Sequence, residues 1–308
     1  MNVSVILCTY NRVKLLGRVL EQLAAQDTPP DLAWEVLVVD NNSNDGTAAL
    51  AQGYVQRFPA RFRYAHVAQQ GKAFALNAAL DMVESEIIAF TDDDVDIDRR
   101  WLRELVQPFS NPSCMGVGGR IVPLFNQGQP NWLRGQLTRE LRGPLVEFDL
   151  GDAPQPLKKA PFGANMAFRR EIFQRHARFR TDLGPKGRNV VKGEDIEIAD
   201  RVIAAGEPLV YVPSALVHHP VEPERQQRRY FFRWWFEHGR TSVMTDGIPA
   251  NAATVFGVPR YLVSQACGAA VRGLLSFDEK RRLSHLLQAA KACGEVAASI
   301  GRAPGAPS

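Results

Sequence analysis

Short apolar runs alternate with amphipathic stretches along the first 95 residues, and this alternation constrains the fold more than any other feature of the chain. The apolar runs have the length of buried strands, and the stretches between them have helical spacing. We therefore predict an α/β fold, in which a Rossmann-like, mostly parallel central sheet is flanked by helices. The predicted strands are 3–8, 34–39, 62–67 and 86–90, and the predicted helices follow residue 12 to about 26, then 48–58 and 73–82.

Three consecutive aspartates, Asp92, Asp93 and Asp94, follow the fourth predicted strand. Adjacent carboxylates raise each other's pKa unless a cation or solvent relieves their repulsion. In an extended segment Asp92 and Asp94 project to one side and Asp93 to the other, so the outer pair can bind a divalent cation. The alternative is a solvated acidic loop that caps the helix predicted to begin near Arg99.

Polar segments follow three of the predicted strands, namely Thr9 to Arg12, Asp40, and Asp92 to Asp94. Ligands of parallel α/β sheets lie at the carboxyl ends of the strands. The sequence therefore predicts that these segments converge on one edge of the sheet.

Two other ligand-binding folds do not match these segments. A dinucleotide-binding domain needs a glycine-rich first loop, whereas this chain has no glycine after its first strand until Gly17. A calcium-binding EF-hand loop would need a glycine at Ile97 and a glutamate at Arg103.

Composition places the chain among ordinary globular proteins, with 308 residues, 45% hydrophobic residues and a net charge of +4. This mild charge predicts no nucleic-acid partner. The four cysteines form no Cys-x-x-Cys pair, and we predict that they are buried thiols of a reducing compartment. No secretory signal pattern and no run of 18 uncharged apolar residues occurs, which predicts a cytoplasmic protein without a spanning helix. The cysteines are Cys8, Cys114, Cys267 and Cys293.

Five motifs occur in an order and spacing that resemble the signature of family 2 glycosyltransferases. They are Thr9-Tyr10-Asn11-Arg12, Val38-Val39-Asp40-Asn41-Asn42-Ser43, Thr91-Asp92-Asp93-Asp94, Gly163-Ala164-Asn165-Met166-Ala167-Phe168-Arg169 and Gly193-Glu194-Asp195. The resemblance covers residues 3–220. It implies the GT-A fold and an inverting enzyme that uses nucleotide-sugar donors. We predict a GT-A domain at 1–222, with a donor half of about 1–120 and an acceptor half of about 121–222, a helical extension at 223–300 and a disordered tail at 301–308.

The resemblance assigns most of the polar segments to the donor. Asp40 would accept a hydrogen bond from the nucleotide base, with a turn-capping role as the alternative. A divalent cation, Mg²⁺ or Mn²⁺, would stabilise the charge that develops on the leaving diphosphate. The further donor-site residues are Thr9, Arg12, Lys72 and Asp93, and the metal ligands are Asp92, Asp94 and His219, with His218 as the alternative to His219.

The same resemblance makes Asp195 the catalytic base that deprotonates the acceptor hydroxyl, with helix capping as a compatible second role. Glu194 would position the acceptor or Asp195. Gly163 and Asn165 would shape the acceptor side, and a plain loop between strand and helix is the alternative.

Basic and aromatic residues interleave from Arg225 to Phe236, and residues 255–275 combine two arginines with apolar residues at helical spacing. One hypothesis is that these segments form a helical cover or a homodimer contact. The other is peripheral membrane contact through 225–275, on the cytoplasmic face of the inner membrane. We favour membrane contact, because bacterial members of the resembled family commonly glycosylate lipid-linked or envelope acceptors.

The predicted function is metal-dependent, inverting transfer of a sugar to a hydroxyl of a glycan or lipid-linked acceptor, in cell-envelope or exopolysaccharide synthesis. A UDP-sugar is the default donor on resemblance alone, and GDP and dTDP remain open. One rival is a sugar-phosphate nucleotidyltransferase, which usually carries a glycine-rich basic loop that is absent here. The other rival is a non-catalytic nucleotide-sugar-binding protein of the same fold.

Overall fold

A computed structural model describes residues 1–184 and 193–300 of the chain. The strands are β1 Asn2–Thr9, β2 Ala33–Asp40, β3 Phe62–His66, β4 Ile87–Asp92, β5 Asp96–Ile97, β6 Gly116–Leu124, β7 Gln155–Pro156, β8 Asn165–Arg169, β9 Leu209–Pro220, β10 Thr254–Val255 and β11 Val258–Pro259. The helices are α1 Val13–Ala24, α2 Thr47–Arg57, α3 Lys72–Met82, α4 Trp101–Val106, α5 Arg139–Arg142, α6 Ile172–Arg175, α7 Glu194–Ala204, α8 Arg228–Asp246, α9 Arg260–Leu275 and α10 Glu279–Ser299.

The first four strands form a parallel sheet in the order β3-β2-β1-β4. Their bounds and those of α1 to α3 agree with the sequence prediction to within two residues. Six of the eight residues of β1 and six of the eight of β2 are buried, as expected for strands that helices cover on both faces. Thr9 is paired with Asp40 and Cys8 with Asp92, so the ends of these strands lie side by side.

The second half of the sheet is mixed. Strand β8 lies between β4 and β6 and is antiparallel to both, although both precede it in the chain. Strand β6 runs parallel to β9, and the short strands β5 and β7 pair antiparallel with β9. The result is a mixed central sheet with helices on its faces, whose mostly parallel part consists of β1 to β4.

The described residues divide into two compact units. The first comprises 1–124, 147–184 and 193–220, and it holds the central sheet. The second comprises 125–146 and 221–300, and it holds α5 and α8 to α10. The tail predicted at 301–308 lies outside the described residues.

The second unit has an apolar core of its own, built around Phe231, Trp235 and Leu287. Trp235 Nε1 donates a hydrogen bond to the backbone oxygen of Glu140 at 2.7 Å, which satisfies its polar atom inside this core. These contacts correct one part of the membrane hypothesis, because Phe231 and Trp235 are buried and do not reach headgroups.

Helices α8 and α10 cross at a pair of glycines. A methyl group added at Gly239 would overlap the backbone oxygen of Lys291, and one added at Gly294 would overlap that of Phe236. Only residues without a side chain permit this backbone approach.

Among the helices of the described residues, none is both long and apolar enough to cross a membrane.

All four cysteines are free thiols. Cys114 is buried, but Cys267 and Cys293 are exposed, so the prediction of buried thiols is wrong for those two. Burial raises the pKa of Cys8 to about 12, which keeps its thiol protonated at neutral pH.

Candidate active site

The ends of β1 and β2 are tied together at the edge of the sheet. The backbone nitrogen of Asn41 donates to the oxygen of Thr9 at 2.9 Å. Asp40 is almost fully buried, and its carboxylate accepts hydrogen bonds from the Ser43 nitrogen at 2.8 Å and the Tyr64 hydroxyl at 3.0 Å. Burial and this bond to Asp40 raise the pKa of Tyr64 to about 12. Each carboxylate oxygen retains a lone pair, so Asp40 can hold its turn and still accept a bond from a ligand.

The aspartates after β4 alternate as their sequence predicts. Asp93 is buried, whereas Asp92 and Asp94 are only partly buried. Burial raises the pKa of Asp93 to about 6, against the lowering effect of Arg12 and with a further increase from Asp94. The outer two carboxylates therefore remain accessible to a ligand, and the middle one faces the interior.

Arg12 neutralises the aspartate cluster from the loop that follows β1. Its Nη1 lies 2.8 Å from Asp93 Oδ1 and 3.0 Å from Asp94 Oδ2. Burial lowers the pKa of Arg12, but the two carboxylates more than offset this and raise that pKa above its ordinary value. Arg12 thus contacts the aspartates that were predicted to bind metal and diphosphate.

Lys72 connects the aspartate cluster to the start of α7. Its Nζ lies 2.6 Å from Asp92 Oδ1 and 3.8 Å from Glu194 Oε1. Burial opposes the charge on this lysine, but Asp92, Glu194 and Asp195 raise its pKa well above the usual value. Lys72 is therefore a charged group, and acidic residues from two distant parts of the chain surround it.

The first turn of α7 presents Glu194 and Asp195. Asp195 Oδ2 accepts a hydrogen bond from the Gly163 nitrogen at 2.6 Å, and Oδ1 accepts one from the Ile196 nitrogen at 2.9 Å. A methyl group at Gly163 would come within 2.8 Å of Asp195 Oδ2, so the glycine makes room for this carboxylate. Glu194 is buried, and burial together with the charge of Asp195 raises its pKa to about 7, although Lys72 acts in the opposite direction.

His219 lies near the aspartate cluster, at the end of β9. Its Nδ1 is 3.1 Å from the backbone oxygen of Pro220, which can only accept, so Nδ1 carries the proton. In the neutral ring the lone pair is then on Nε2, which lies 3.8 Å from Asp94 Oδ1. The structure therefore brings His219 to Asp94, whereas His218 pairs in register with Asp96.

The donor atoms around Asp94 fit a divalent metal ion only in part. Carboxylate oxygens and an imidazole nitrogen are suitable ligands for Mn²⁺, and carboxylates for Mg²⁺. Within 1–184 and 193–300, however, no group of three His, Cys, Asp or Glu residues is arranged to hold a metal. Magnesium in nucleotide enzymes is usually held by one or two carboxylates together with substrate phosphates. Asp94 and His219 fit that incomplete kind of site.

Asn165 does not occupy the position predicted for it. Its side chain is fully buried, its Nδ2 donates to the Arg120 and Ala215 oxygens, and its Oδ1 accepts from the Trp101 indole at 2.8 Å. The pairing register between β6 and β9 shifts between Gly119 and Arg120. The Asn165 amide donates hydrogen bonds to the backbone oxygens at this irregularity. We correct the acceptor-binding prediction for Asn165, because its amide groups are used to join strands.

A family model, that of glycosyl transferase family 2, matches residues 4–177, which is more than half of the chain. The chain belongs to glycosyl transferase family 2. It is therefore a glycosyltransferase, and this assignment disfavours the nucleotidyltransferase hypothesis.

Curated relatives of this glycosyltransferase have distant sequences. It is 26% identical over 242 residues to the succinoglycan biosynthesis protein ExoM of Rhizobium meliloti (strain 1021). The aligned region covers 78% of this chain and 74% of ExoM. It is 26% identical over 231 residues to the glycosyltransferase AglE of Haloferax volcanii, covering 75% of this chain and 71% of the relative.

Two solved structures share the GT-A fold. One is the mannosyltransferase PcManGT of Pyrobaculum calidifontis in complex with GDP-Man and Mn²⁺, with a TM-score of 0.57, 22% identity, and coverage of 99% of this chain and 76% of that one. The other is GalNAc-T7 with UDP, GalNAc and Mn²⁺, with a TM-score of 0.59, 17% identity, and coverage of 92% and 54%. The predicted GT-A fold is confirmed.

Sequence reasoning missed Asn41 in this glycosyltransferase. Its Oδ1 accepts from the Gly71 nitrogen at 2.7 Å, and its Nδ2 donates to the Val67 and Gln69 oxygens. These bonds fix the loop that precedes Lys72, and Gly71 has a φ of 131°, a conformation suited to glycine. An asparagine directly after Asp40 was the available signal, but its partners are about 30 residues away and are visible only in the fold.

Proposed function

We propose that this glycosyltransferase transfers a sugar from a nucleotide-sugar donor to a hydroxyl of a glycan or lipid-linked acceptor, with inversion, during cell-envelope or exopolysaccharide synthesis. One observation carries the proposal: Lys72 contacts Asp92 and lies 3.8 Å from Glu194, so the acidic groups of β4 and α7 belong to one site. The naming of ExoM as a succinoglycan biosynthesis protein supports the polysaccharide pathway.

We propose that the nucleotide base lies against Thr9 and Asp40, and the diphosphate near Lys72 and the aspartates. The free lone pairs of Asp40 suit an N–H donor such as that of uracil. Lys72 suits the diphosphate because it is a point charge that its acidic neighbours stabilise against the effect of burial. A UDP-sugar remains our default donor, while the GDP-Man bound to PcManGT keeps a GDP-sugar open.

We propose that Asp94 and His219, with Asp92, hold Mg²⁺ or Mn²⁺ when the donor binds. The metal would supply Lewis-acid stabilisation of charge on the leaving diphosphate. Arg12 contacts both Asp93 and Asp94 and so holds their carboxylates close together at this site. The Mn²⁺ in both structural neighbours supports this assignment.

We propose Asp195 as the base. Its two backbone donors, Gly163 and Ile196, fix the carboxylate, and inversion requires one base and no covalent nucleophile. Glu194 then acts as a positioning residue, since its buried carboxylate interacts electrostatically with both Asp195 and Lys72.

Calorimetry tests the donor half of this proposal. UDP, GDP and dTDP are titrated in Mn²⁺ into the wild type and into the Asp92→Ala, Asp94→Ala double variant. We expect the double variant to bind the preferred nucleotide about tenfold or more weakly, and chelation of the metal by EDTA to abolish that difference. Asp96→Ala is the matched control, because Asp96 bonds to Arg18 instead of to the site. Equal affinities of the double variant and the wild type would remove the aspartates from the metal site.

Hydrolysis of a panel of activated sugars then identifies the donor. Wild-type protein with Mn²⁺ is expected to release nucleotide from one class of sugar nucleotide. Binding of a nucleotide without turnover of any sugar donor or acceptor would favour the non-catalytic hypothesis.

A further inference from the structure

Large apolar side chains are exposed in one part of the second unit. Of the twelve that are exposed among residues 1–184 and 193–300, eight lie between Val255 and Phe277. Phe256, in the turn between β10 and β11, and Phe277, just after α9, are fully exposed. Leu274 and Leu275 are 79% and 72% exposed. Exposed aromatic and aliphatic residues at this density usually mark an interaction surface.

Helix α9 exposes a row of apolar residues along one face. Val263, Cys267, Val271 and Leu274 are spaced by four, four and three residues, which places them on one helix face, and all four are exposed. The buried residues of α9 are Leu262, Ala269 and Gly273, and a methyl group at Gly273 would come within 2.9 Å of Leu286 on α10. These four exposed residues, which we call the outward stripe, are therefore more apolar than is usual for a helix face in contact with water.

Positive charge accompanies this surface. The described residues of the second unit, 125–146 and 221–300, contain 14 basic and 8 acidic residues, a net charge of +6. Those of the first unit contain 19 basic and 25 acidic residues, a net charge of −6. No Asp or Glu occurs from 247 to 277, a stretch that contains the exposed Arg260 and Arg272.

We infer that residues 255–277 form a docking surface for an anionic lipid bilayer, with α9 parallel to the membrane plane. The 16-residue helix is about 24 Å long, and along the chain Phe256 precedes its first residue by four positions while Phe277 follows its last by two. Both phenylalanines and the outward stripe enter the interface, while Arg260 and Arg272 meet lipid phosphates. The absence of acidic groups from 247 to 277 favours an anionic partner, since basic residues gain from an anionic surface.

This surface narrows the membrane contact predicted from the sequence. The aromatic residues at 231 and 235 are internal, so the contact moves from 225–275 to 255–277. The inference does not depend on the proposed donor, acceptor or base, because lipid binding is measured without turnover.

Vesicle sedimentation tests the inference with the full chain. Phosphatidylcholine vesicles, and vesicles of equal parts phosphatidylcholine and phosphatidylglycerol, are mixed with wild type, with Phe256→Ser/Phe277→Ser, and with Met82→Ser. Met82 is an exposed apolar residue of the first unit and serves as the matched control. We expect wild type and the control to bind the anionic vesicles, and the double variant to bind about tenfold or more weakly.

A second variant tests the electrostatic part. Arg260→Gln/Arg272→Gln should lower binding to anionic vesicles several-fold, and added salt should remove most of this difference. Circular dichroism checks that each variant remains folded. The inference is overturned if wild type does not sediment with anionic vesicles, or if Phe256→Ser/Phe277→Ser binds as Met82→Ser does. It is also overturned if sedimentation velocity shows a wild-type dimer that these phenylalanine substitutions dissociate, because the surface then binds a second copy.

Discussion

Replacing Gly163 with alanine would put a methyl group where the carboxylate of Asp195 lies. The new Cβ would be 2.8 Å from Asp195 Oδ2 and 2.9 Å from Asp195 Cβ. Non-bonded carbon atoms prefer separations of about 3.5–4.0 Å, so Asp195 must move by about half an ångström or more. Gly163 is not among the glycines with a left-handed backbone, so alanine adds no backbone strain there.

The expected loss follows from that displacement. The Gly163 nitrogen donates to Asp195 Oδ2 at 2.6 Å, and a hydrogen bond to a charged group contributes about 1.5–3 kcal/mol. Misplacing a reacting group by about 1 Å can decrease a rate about 100-fold. We therefore expect kcat to fall about 10- to 100-fold, which corresponds to about 1.4–2.7 kcal/mol. The KM for the donor should change little, because the added methyl group meets Asp195, which is proposed to act on the acceptor.

Steady-state rates with the donor identified by the hydrolysis panel measure this effect. Gly53→Ala is the matched control, because Gly53 lies within α2 and nothing approaches its added methyl group within 4 Å. In an Asp195→Asn background, Gly163→Ala should cause no further loss of rate, since both changes act on the same group. An unchanged kcat in folded Gly163→Ala would refute the reasoning, as would a rise in donor KM that accounts for the whole effect.

Three further outcomes are expected. In Gly239→Ala the added methyl group would overlap the Lys291 oxygen, so the free energy of unfolding should fall by about 1–3 kcal/mol in denaturant titrations. An unchanged unfolding midpoint would contradict the close packing of α8 against α10. Burial, with nearby positive charges, lowers the pKa of His238 from 6.5 to about 4, so the folded state favours the neutral ring. The contribution of His238 to the free energy of unfolding should be fully present above pH 6.5 and fall by up to roughly 3 kcal/mol as the pH decreases to 4. His238→Gln should flatten the dependence of the melting temperature on pH, and a profile identical to that of the wild type would contradict this role of His238. Tyr64→Phe removes a hydrogen bond to Asp40 and should weaken nucleotide binding about three- to tenfold by calorimetry, while full affinity would argue against Asp40 in the base pocket.

The elements of the N-terminal half were predictable because their signals are local. Buried runs and helical spacing located β1 to β4 and α1 to α3, and the strand ends fixed Thr9, Asp40 and Asp92 along one edge. The position of β8 between β4 and β6 was not predictable in this way, because strand order depends on long-range pairing.

The contacts between residues of the site were harder to predict than which residues belong to it. Lys72 is 20 residues from Asp92 and 122 from Glu194 along the chain, and no periodic pattern indicates that one amine contacts or approaches both. Asn165 was misassigned because a buried amide that joins strands and an amide that binds a sugar have the same donors and acceptors. Only the partners of the amide in the folded chain distinguish the two roles.

The aromatic run from 230 to 236 failed as a membrane signal for a related reason. Interleaved basic and aromatic residues are typical of an interfacial helix and equally of a helix with one buried face. Packing decides between them, and it buries Phe231 and Trp235 in the core of the second unit. The exposed apolar residues of α9 produced a weaker sequence signal, because two of its three buried residues, Ala269 and Gly273, are small and reduce the contrast between its two faces.

Asp195→Asn tests most directly whether Asp195 is the catalytic base, because asparagine retains the size of the side chain but cannot take a proton at neutral pH. Nucleotide affinity in Mn²⁺ and the rate of sugar transfer are measured on the same preparation. We predict affinity within about twofold of the wild type, and a rate that falls about 10²- to 10⁴-fold, the usual contribution of a general base. Transfer at the wild-type rate would show that Asp195 does not deprotonate the acceptor.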